Sequence, residues 1–334
     1  MSKETPVLRL ARLDEGKRVI DFVNQYFDYK LPHINLPEYF EYYFRGEGGL
    51  QFALAELNGE LVAAAGYLHT NRQPGSGIWV SVWIAAPGHN GIGLELMNAL
   101  PELTGAAFVS CNNIRPKTMA FYRFLGWTAD RVPHYYRLAR QVSYRLARVE
   151  KPEFLPVSGD LTLDSVHSVT RLEGLGLPPS PHLPHKDLWY LAHRYFDFPH
   201  QRYQVWSASE NGRLLAYLVT RAVGPEQGCP VPVLRIVDFI GEDAVLPRLG
   251  KAIDQLMQQT GAEYADCYCW GIPAEVFRAA GFCERREGDG AVIPNYLTPP
   301  VDDNTEYYFF TSKPENFTLF KADGDQDRPN LKVE

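Results

Sequence analysis

Residues 79–97 read WVSVWIAAPGHNGIGLELM and contain the strongest fold signal in the chain. The first part, up to about Ala85, is an apolar run of the kind that forms a buried strand. A loop with glycines at 91 and 93 follows, and the spacing of the next apolar residues predicts a helix. Because the first N–H groups of a helix have no partner within it, this order of elements offers a cradle for a pyrophosphate.

The chain on either side of this stretch also alternates between predicted strands and helices. Upstream we predict a strand at 8–11, a helix at 14–27, a second helix after Pro37 and a hairpin at Asn58-Gly59. Downstream we predict strand 78–85, helix 91–103, strand 106–111, a short helix that ends at Leu125-Gly126, and a last strand at 131–139.

The sequence contains an internal repeat. LPHINLPEYFEYYF at 31–44 returns as LPHKDLWYLAHRYF at 183–196. The hairpin signal Asn58-Gly59 returns as Asn211-Gly212, and FYRFLGW, which ends at Trp127, returns as VFRAAGF, which ends at Phe282. Three matches in the same order and at nearly constant spacing indicate a duplicated domain.

The sequence of the second copy predicts the same kinds of helices and strands as that of the first. They are a helix at 187–195, strand 234–240, helix 244–259, strand 264–270 and helix 273–280. We therefore predict an α/β fold of two tandem domains, each a mostly antiparallel mixed sheet flanked by helices. The predicted divisions are a first domain at 1–140, a linker at 141–159, a second domain at 160–313 and an irregular acidic tail at 314–334.

Composition excludes several classes of protein. The chain has 334 residues and a formal net charge of −7, which argues against a nucleic-acid partner. No stretch is apolar for the length of a membrane span, and the N-terminus lacks a secretory signal. The five cysteines show no CxxC pair, so we expect reduced thiols, no metal and a cytoplasmic protein. The abundant aromatic residues permit a dimer without predicting one.

The strand–loop–helix stretch resembles the acetyl-CoA motif of the GNAT (Gcn5-related N-acetyltransferase) superfamily, Arg/Gln-x-x-Gly-x-Gly/Ala. Gly91 and Gly93 fall on the two small positions, whereas Gly88 stands where the family has Arg or Gln. His89 and Asn90 are the polar side chains that could partly substitute. The resemblance implies that acetyl-CoA, as cosubstrate, contacts Trp83, Ile84, Gly88, His89, Asn90, Gly91, Ile92, Gly93 and Leu94.

RPKTMAFYRFLGW, which starts at Arg115, resembles a second GNAT motif, Asn-x-x-Ala-x-x-x-Tyr-x-x-x-Gly-Phe. Tyr122, Gly126 and Trp127 match its Tyr, Gly and aromatic positions, and Arg115 replaces the Asn. Asn112 stands close by, at the end of the preceding strand. The resemblance implies that Tyr122 protonates the departing CoA thiolate and that Asn112 lies beside the cofactor.

Other catalytic groups are less clear from the sequence. By the same resemblance, a backbone N–H near Trp83-Ile84 would polarise the acetyl carbonyl. No general base stands out: His33, Glu38 and Glu41 could face the cleft, and a base is unnecessary if the amine arrives neutral.

The second copy departs from both motifs. Its loop reads IGEDAVLP from Ile240, with no GxG and two carboxylates that would repel a pyrophosphate, and Phe277 replaces the tyrosine. Asp238 and Glu242 are candidates to meet a cationic amine, although solvated loop carboxylates are the simpler interpretation. We therefore expect the second domain to be a structural partner or a wall of the acceptor site.

Two further patterns suggest metal ions only weakly. Four histidines, at 182, 185, 193 and 200, lie close together in the sequence, but at irregular spacing. The segment that starts at Asp323, DGDQDRP, superficially resembles a calcium loop but lacks the later Gly and the bidentate Glu. We expect it to be an exposed acidic tail.

Three functions remain open. The first is an N-acetyltransferase that uses acetyl-CoA and a small-molecule amine, for which an amino sugar is the preferred guess. The second is a non-catalytic binding or scaffold protein that kept the fold. The third is a Fem-like aminoacyl transferase, because such enzymes also have tandem GNAT-like domains. That function requires a basic surface for tRNA, and the net charge of −7 argues against it.

Overall fold

The computed structural model describes residues 5–329 and 331–333, which form two mixed β-sheets flanked by helices. The elements of the first half are β1 (Val7–Ala11), α1 (Gly16–Tyr26), α2 (Pro32–Asn35), α3 (Pro37–Phe44), β2 (Leu50–Leu57), β3 (Glu60–His69), β4 (Ile78–Ala85), α4 (Asn90–Thr104), β5 (Val109–Asn112), α5 (Met119–Phe124), β6 (Thr128–Arg131) and β7 (His134–Leu138).

The second half repeats this order. Its elements are β8 (Asp164–Val166), α6 (Val169–Leu175), α7 (Leu188–Tyr195), β9 (Gln204–Glu210), β10 (Arg213–Val223), β11 (Val233–Gly241), α8 (Val245–Arg248), α9 (Gly250–Thr260), β12 (Tyr264–Trp270), α10 (Ala274–Ala279), β13 (Cys283–Arg285), β14 (Tyr308–Thr311) and β15 (Leu319–Phe320).

Both predicted hairpins are confirmed. Asn58 and Gly59 have φ values of 53° and 83°, and Asn211 and Gly212 have 51° and 77°. A type I′ turn requires positive φ at both central residues, which Asn and Gly adopt most easily. The turns join β2 to β3 and β9 to β10 as antiparallel pairs.

Each half of the chain contributes one strand to the sheet of the other half. The first has the order β1-β2-β3-β4-β5-β14-β6, and the second has β13-β7-β12-β11-β10-β9-β8. Thus β7 follows β6 in the chain but lies between β12 and β13 in the second sheet. Reciprocally, β14 lies between β5 and β6 in the first sheet. The predicted ranges 1–140 and 160–313 therefore do not coincide with the two sheets.

Two predicted elements are each divided in the structure. The strand predicted at 131–139 is replaced by β6 and β7, with Pro133 between them, because proline cannot donate a ladder hydrogen bond. The helix predicted at 244–259 consists of α8 and α9, and α8 contains Pro247. Leu249 separates the two helices and serves as the C-cap of α8 and the N-cap of α9.

The faces of the sheets pack against the helices. In α1 the buried residues are Val19, Phe22 and Val23, which share one helical face. In α4 they include Leu96, Met97 and Leu100, and this helix ends at Gly105 in the left-handed conformation, with φ of 68°. The two helices cover opposite faces of the first sheet.

The prediction of an exposed acidic tail is wrong. Phe317, Phe320 and Asp323 are each 1% exposed or less, and β15 pairs with β12 at the centre of the molecule. The apolar residues of the tail, Phe317, Leu319 and Phe320, join the hydrophobic cores. The carboxylates that follow are paired, Asp323 with Lys186 and Asp327 with Arg221. In the part of the chain that the structure describes, every helix is too short or too polar to cross a bilayer.

Candidate active site

The loop between β4 and α4 exposes the start of a long helix. Its backbone leaves the sheet at Ala86, whose N–H donates to the Val62 carbonyl at 2.8 Å, and turns at Gly88, where φ is 85°. His89 precedes the helix, and Asn90 and Gly91 form its exposed first turn. The amides of these two residues precede the first internal hydrogen bonds of α4, so they are free to bind an anion.

The two glycines of the predicted motif have different roles. A Cβ on Gly93 would lie 2.9 Å from the Cβ of Ala85, so Gly93 allows α4 to pack against β4. The Trp83 indole N–H donates to the Gly93 carbonyl at 3.0 Å and fixes this contact. A Cβ on Gly91 would meet nothing within 4 Å, so Gly91 keeps the outer face of the turn open. Ile92 and Leu94 are half-buried beside it.

Strand β4 contains a bulge. Gly66 pairs with Val82 but Tyr67 pairs with Val80, so Ser81 is an extra residue without an opposite partner. A bulge breaks the ladder and frees backbone groups at that point. Val82 and Ile84 then face the α1 side of the sheet, whereas Trp83 faces α4.

Strands β4 and β5 diverge immediately before the bulge. They are parallel partners only at Ile78 with Val109 and Trp79 with Ser110. Beyond these pairs, β4 from 82 to 85 pairs with β3 alone, has no strand partner on its β5 side among the described residues, and leads to the exposed turn of α4. The structure therefore forms a wedge-shaped cleft, with its apex near Ser81 and its open end at Gly91.

The C-terminal tail crosses the apex of this cleft. The Ser81 hydroxyl donates to the Asp325 carboxylate at 2.9 Å. The Asn112 side-chain amide donates to the carbonyls of Phe320 and Asp323 at 3.1 and 3.0 Å. Asn112, which was predicted to lie beside the cofactor, therefore uses its amide nitrogen to hold the tail. Among the described residues no backbone hydrogen bond joins the tail to β4.

Asp325 is a buried anion at the apex. Burial alone would raise the pKa of its carboxyl, but the charge of Arg328 and the hydrogen bonds from Arg328 and Ser81 outweigh it and lower the pKa. The guanidinium of Arg328 donates to the carboxylate at 2.6 Å. A carboxylate held in this way is a poor proton acceptor. Nothing in the local sequence of the tail indicates that this carboxylate is buried.

Of the three predicted candidates for a general base, only His33 is near the apex. Its Nε2 lies 3.6 Å from a carboxylate oxygen of Asp325, and neither ring nitrogen has a hydrogen-bond partner among the described residues. Burial, together with the charge of Arg328, lowers the pKa of His33 to about 3. Glu38 and Glu41 are exposed and bind the neighbouring side chains His200 and Arg45.

Tyr122 is buried in an aromatic cluster. Its ring stacks on Phe310 of β14 with centroids 3.9 Å apart, and Trp83 and Trp127 lie just beyond 6 Å. Burial raises the pKa of its hydroxyl. The phenol is therefore protonated at neutral pH, as a proton donor must be.

The corresponding cleft of the second domain is filled by the tail. Strand β11 has the same bulge, at Val237, and the Val237 carbonyl accepts a hydrogen bond from the Ala322 N–H at 3.0 Å. On the other side, β15 pairs with β12, at Phe320 with Cys269. The tail thus occupies the gap between β11 and β12 as an additional strand.

Polar groups of the tail complete this filling. The buried ammonium of Lys186 binds Asp238 at 2.6 Å and Asp323 at 2.8 Å. Asp238, a candidate to meet a cationic amine, is therefore already paired, whereas Glu242 is an exposed loop carboxylate.

The four clustered histidines do not come together. His182 binds Asp243 at 2.6 Å, His185 is exposed, His193 stacks on Tyr42 and His200 binds Glu38. Among the described residues no group of three or more potential ligands could hold a metal ion.

Comparisons by sequence find no relative: no family model matches, and no curated protein is detectably similar. Solved structures do match. A GCN5-related N-acetyltransferase from Anabaena variabilis ATCC 29413 has a TM-score of 0.54 at 12% identity, over 92% of this chain and 72% of that one. A conserved protein of unknown function from Enterococcus faecalis V583, described as a probable N-acyltransferase, has a TM-score of 0.54 at 13% identity, over 92% of this chain and 72% of that one. The predicted fold class is confirmed: the two sheets and their helices form a two-domain GNAT fold.

Proposed function

We propose that the chain is an N-acetyltransferase that binds acetyl-CoA in the cleft of its first domain. The observation that carries the proposal is the asymmetry between the two clefts. In the first domain the edge of β4 beyond Ser81 has no backbone partner among the described residues of the tail and leads to an open helix start. In the second domain the same edge binds Ala322, and Glu242 follows β11.

The residues present in the first cleft fit the cofactor in part. Amides of Asn90 and Gly91 at the start of a 15-residue helix suit a pyrophosphate, and the open face of Gly91 allows close approach. Gly88 offers no side chain to replace the Arg or Gln of the motif. Backbone amides and the helix dipole therefore supply most of the attraction, and His89 lies beside them.

Each side chain along the cleft has a separate proposed role. Trp83 fixes the loop through Gly93, and Ile84 offers an apolar edge to an extended arm. Backbone freed by the bulge at Ser81 is suitably placed to polarise a carbonyl. Acetyl-CoA supplies the acetyl group as a thioester, whose C–S bond breaks as the C–N bond of the amide forms. Tyr122, protonated, is the donor for the departing thiolate.

None of the described side chains at the apex suits the role of strong base. Asp325 is held by Arg328, and the pKa of His33 is lowered to about 3 by burial. We therefore propose that the amine reaches the apex in its neutral form and loses its proton to water after attack.

The test is a calorimetric titration of acetyl-CoA into the wild-type chain and Gly91→Asp. A carboxylate on this open turn repels a pyrophosphate without any clash, so we expect micromolar binding by the wild type and about tenfold or greater loss in the variant. The matched control is Asn98→Asp, which adds the same charge to an exposed position of the same helix. Gly93 is unsuitable, because any side chain there would clash with Ala85.

One observation favours the non-catalytic alternative. The tail crosses the apex of the first cleft, where Asp325 binds Ser81. If the folded wild-type chain fails to bind acetyl-CoA in the titration, the acetyltransferase proposal is wrong and a binding protein with this fold becomes the better conclusion.

A further inference from the structure

A cavity of about 910 Å³ lies between the two domains. The first domain contributes the loop before β2, the loop between β3 and β4, and Trp79 at the start of β4. The second domain contributes Trp189, Tyr190 and His193 from α7, and the tail contributes Gly324. The cavity is large enough for a small molecule, and such sites are common at domain interfaces.

The position of the cavity relates it to the proposed cofactor cleft. It reaches Thr104 and Gly105 at the C-terminal end of α4, whereas the proposed pyrophosphate turn is at the N-terminal end. A helix of this length separates the two ends by roughly 20 Å. The apex lies between them, because Trp79 and Gly324 line the cavity and Ser81 and Asp325 meet at the apex.

One wall of the cavity is a stack of planar groups. The guanidinium of Arg72 lies 4.7 Å above the Trp189 ring. The Trp189 ring is 5.1 Å from His193, which in turn lies 4.1 Å from Tyr42, with interplanar angles of 12° and 11°. Tyr43, Tyr67 and Trp79 line the cavity further in. Walls of this composition fit the flat faces of a ring.

Two residues of the lining have buried polar atoms without a hydrogen-bond partner among the described residues. They are the Tyr43 hydroxyl and the Trp79 indole N–H. Both residues line the cavity, but these two atoms are closed off from its surface. They offer no contact to a ligand in this conformation, so its recognition falls to the aromatic wall and the arginines.

Three arginines line the cavity, and Arg72 is the one whose charge a ligand can reach. Arg45 pairs with Glu41, and the buried Arg194 donates to the carbonyls of Ala322 and Gln326. His193 does not add to this charge at neutral pH, because burial lowers its pKa to about 4. An acceptor with an anionic group therefore suits the cavity better than one with positive charge alone.

Arg72 is the arginine best placed to receive an anion. Its backbone N–H donates to Asp187 at 3.0 Å, and the Asn71 side chain donates to the His185 carbonyl, so its loop is held by the second domain. Its guanidinium pairs with Glu47 at 3.2 Å, but the two side chains are 56% and 87% exposed. Such a pair contributes little free energy and can be replaced by a ligand.

We propose that this cavity holds the acceptor, and that the acceptor is a ring-bearing amine with an anionic group that binds Arg72. The inference rests on the proposed acetyl transfer, and it adds the chemical class of the substrate. A phosphate and a carboxylate offer the same paired oxygens to a guanidinium. A sugar phosphate and an aromatic acid are the two sources of that chemistry.

The experiment is calorimetric titration, without acetyl-CoA, of two matched pairs of amines. Glucosamine 6-phosphate is compared with glucosamine, and 4-aminobenzoate with aniline. We expect at least one anionic amine to bind about tenfold more tightly than the amine of the same pair that lacks the anionic group. Arg72→Ala abolishes this preference. Glu47→Gln, which frees Arg72, strengthens it, and a purely structural role of Arg72 would not produce that gain.

The matched control is Arg286→Ala, because Arg286 is an exposed arginine paired with Glu284 at 3.7 Å, and it does not line the cavity. The proposal is overturned if neither anionic amine binds more tightly than its partner, or if folded Arg72→Ala keeps the preference. The amine titration contains no acetyl-CoA, so its result does not depend on cofactor binding. If acetyl-CoA fails to bind but the anionic amines do, the proposed acetyl transfer is wrong while the anion site at Arg72 is supported.

Discussion

Phe310 of β14 stacks on Tyr122 of the first domain, with ring centroids 3.9 Å apart. The second domain shows the reciprocal contact, because Tyr135 of β7 stacks on Phe277 at the same distance. Each exchanged strand thus places an aromatic ring against the short helix of the other domain. The candidate proton donor of the first domain is therefore held by a residue of the second half of the chain.

The exchange predicts that the two domains unfold together. Phe310→Ala removes a fully buried ring from the first core and should lower the free energy of unfolding by about 3–5 kcal/mol. Urea denaturation followed by tryptophan fluorescence should show one transition for both domains, shifted in the variant. Phe124→Ala, at a position 79% exposed on α5, is the control with little expected effect. Two well-separated transitions would contradict the prediction.

Removal of the Tyr122 hydroxyl should separate catalysis from stability. Tyr122→Phe keeps the stack on Phe310 and removes only the hydroxyl, so the free energy of unfolding should fall by no more than about 1 kcal/mol. If Tyr122 is the proton donor, the rate of acetyl transfer falls by about 100-fold or more while the Kd for acetyl-CoA stays the same. An unchanged rate, measured with any accepted amine, would assign Tyr122 to packing alone.

The carboxylate at the apex should be important for stability. Asp325→Asn leaves the half-buried Arg328 guanidinium without its anionic partner, and we expect a loss of about 2–3 kcal/mol in the free energy of unfolding. Asp21→Asn breaks an exposed ion pair with Lys17 and should cost less than about 1 kcal/mol. Chemical denaturation measures the free energy of unfolding of both variants. Equal losses would show that the ion pair between Asp325 and Arg328 contributes no more to stability than an exposed pair.

Stability should fall as the pH is lowered from 7 to 5, in part through His33. The pKa of His33 is lowered to about 3 by burial, so in this range the unfolded chain binds a proton that the folded chain does not. With an ordinary pKa of about 6.5 in the unfolded chain, the loss from this residue is about 2 kcal/mol at pH 5.

Denaturation of His33→Leu at both pH values tests this prediction. The variant should lose about 2 kcal/mol less than the wild type between pH 7 and 5, because the titrating group is gone. His185→Leu, which changes the exposed counterpart in the repeat, is the matched control. A His33→Leu variant with the wild-type pH dependence would show that another group is responsible.

Local patterns predicted much of the fold because their physical basis is local. Strands 78–85 and 264–270 were predicted with the observed bounds of β4 and β12, and both Asn-Gly turns have the positive φ values that such turns require. The repeat predicted two similar domains, which the two sheets confirm. The glycines of the loop were also identified, but only the structure distinguishes the packing role of Gly93 from the open face of Gly91.

The sequence by itself determined the duplication, the strand–loop–helix of the first cleft and the departure of the second copy from it. The tertiary structure alone decided which sheet each of β7 and β14 joins, and that the tail is buried at the centre of the molecule. The physical reason is that strand pairing and the burial of charge depend on partners far away in the sequence. Asp325 meets Ser81, and Lys186 meets Asp323, only once both domains have formed.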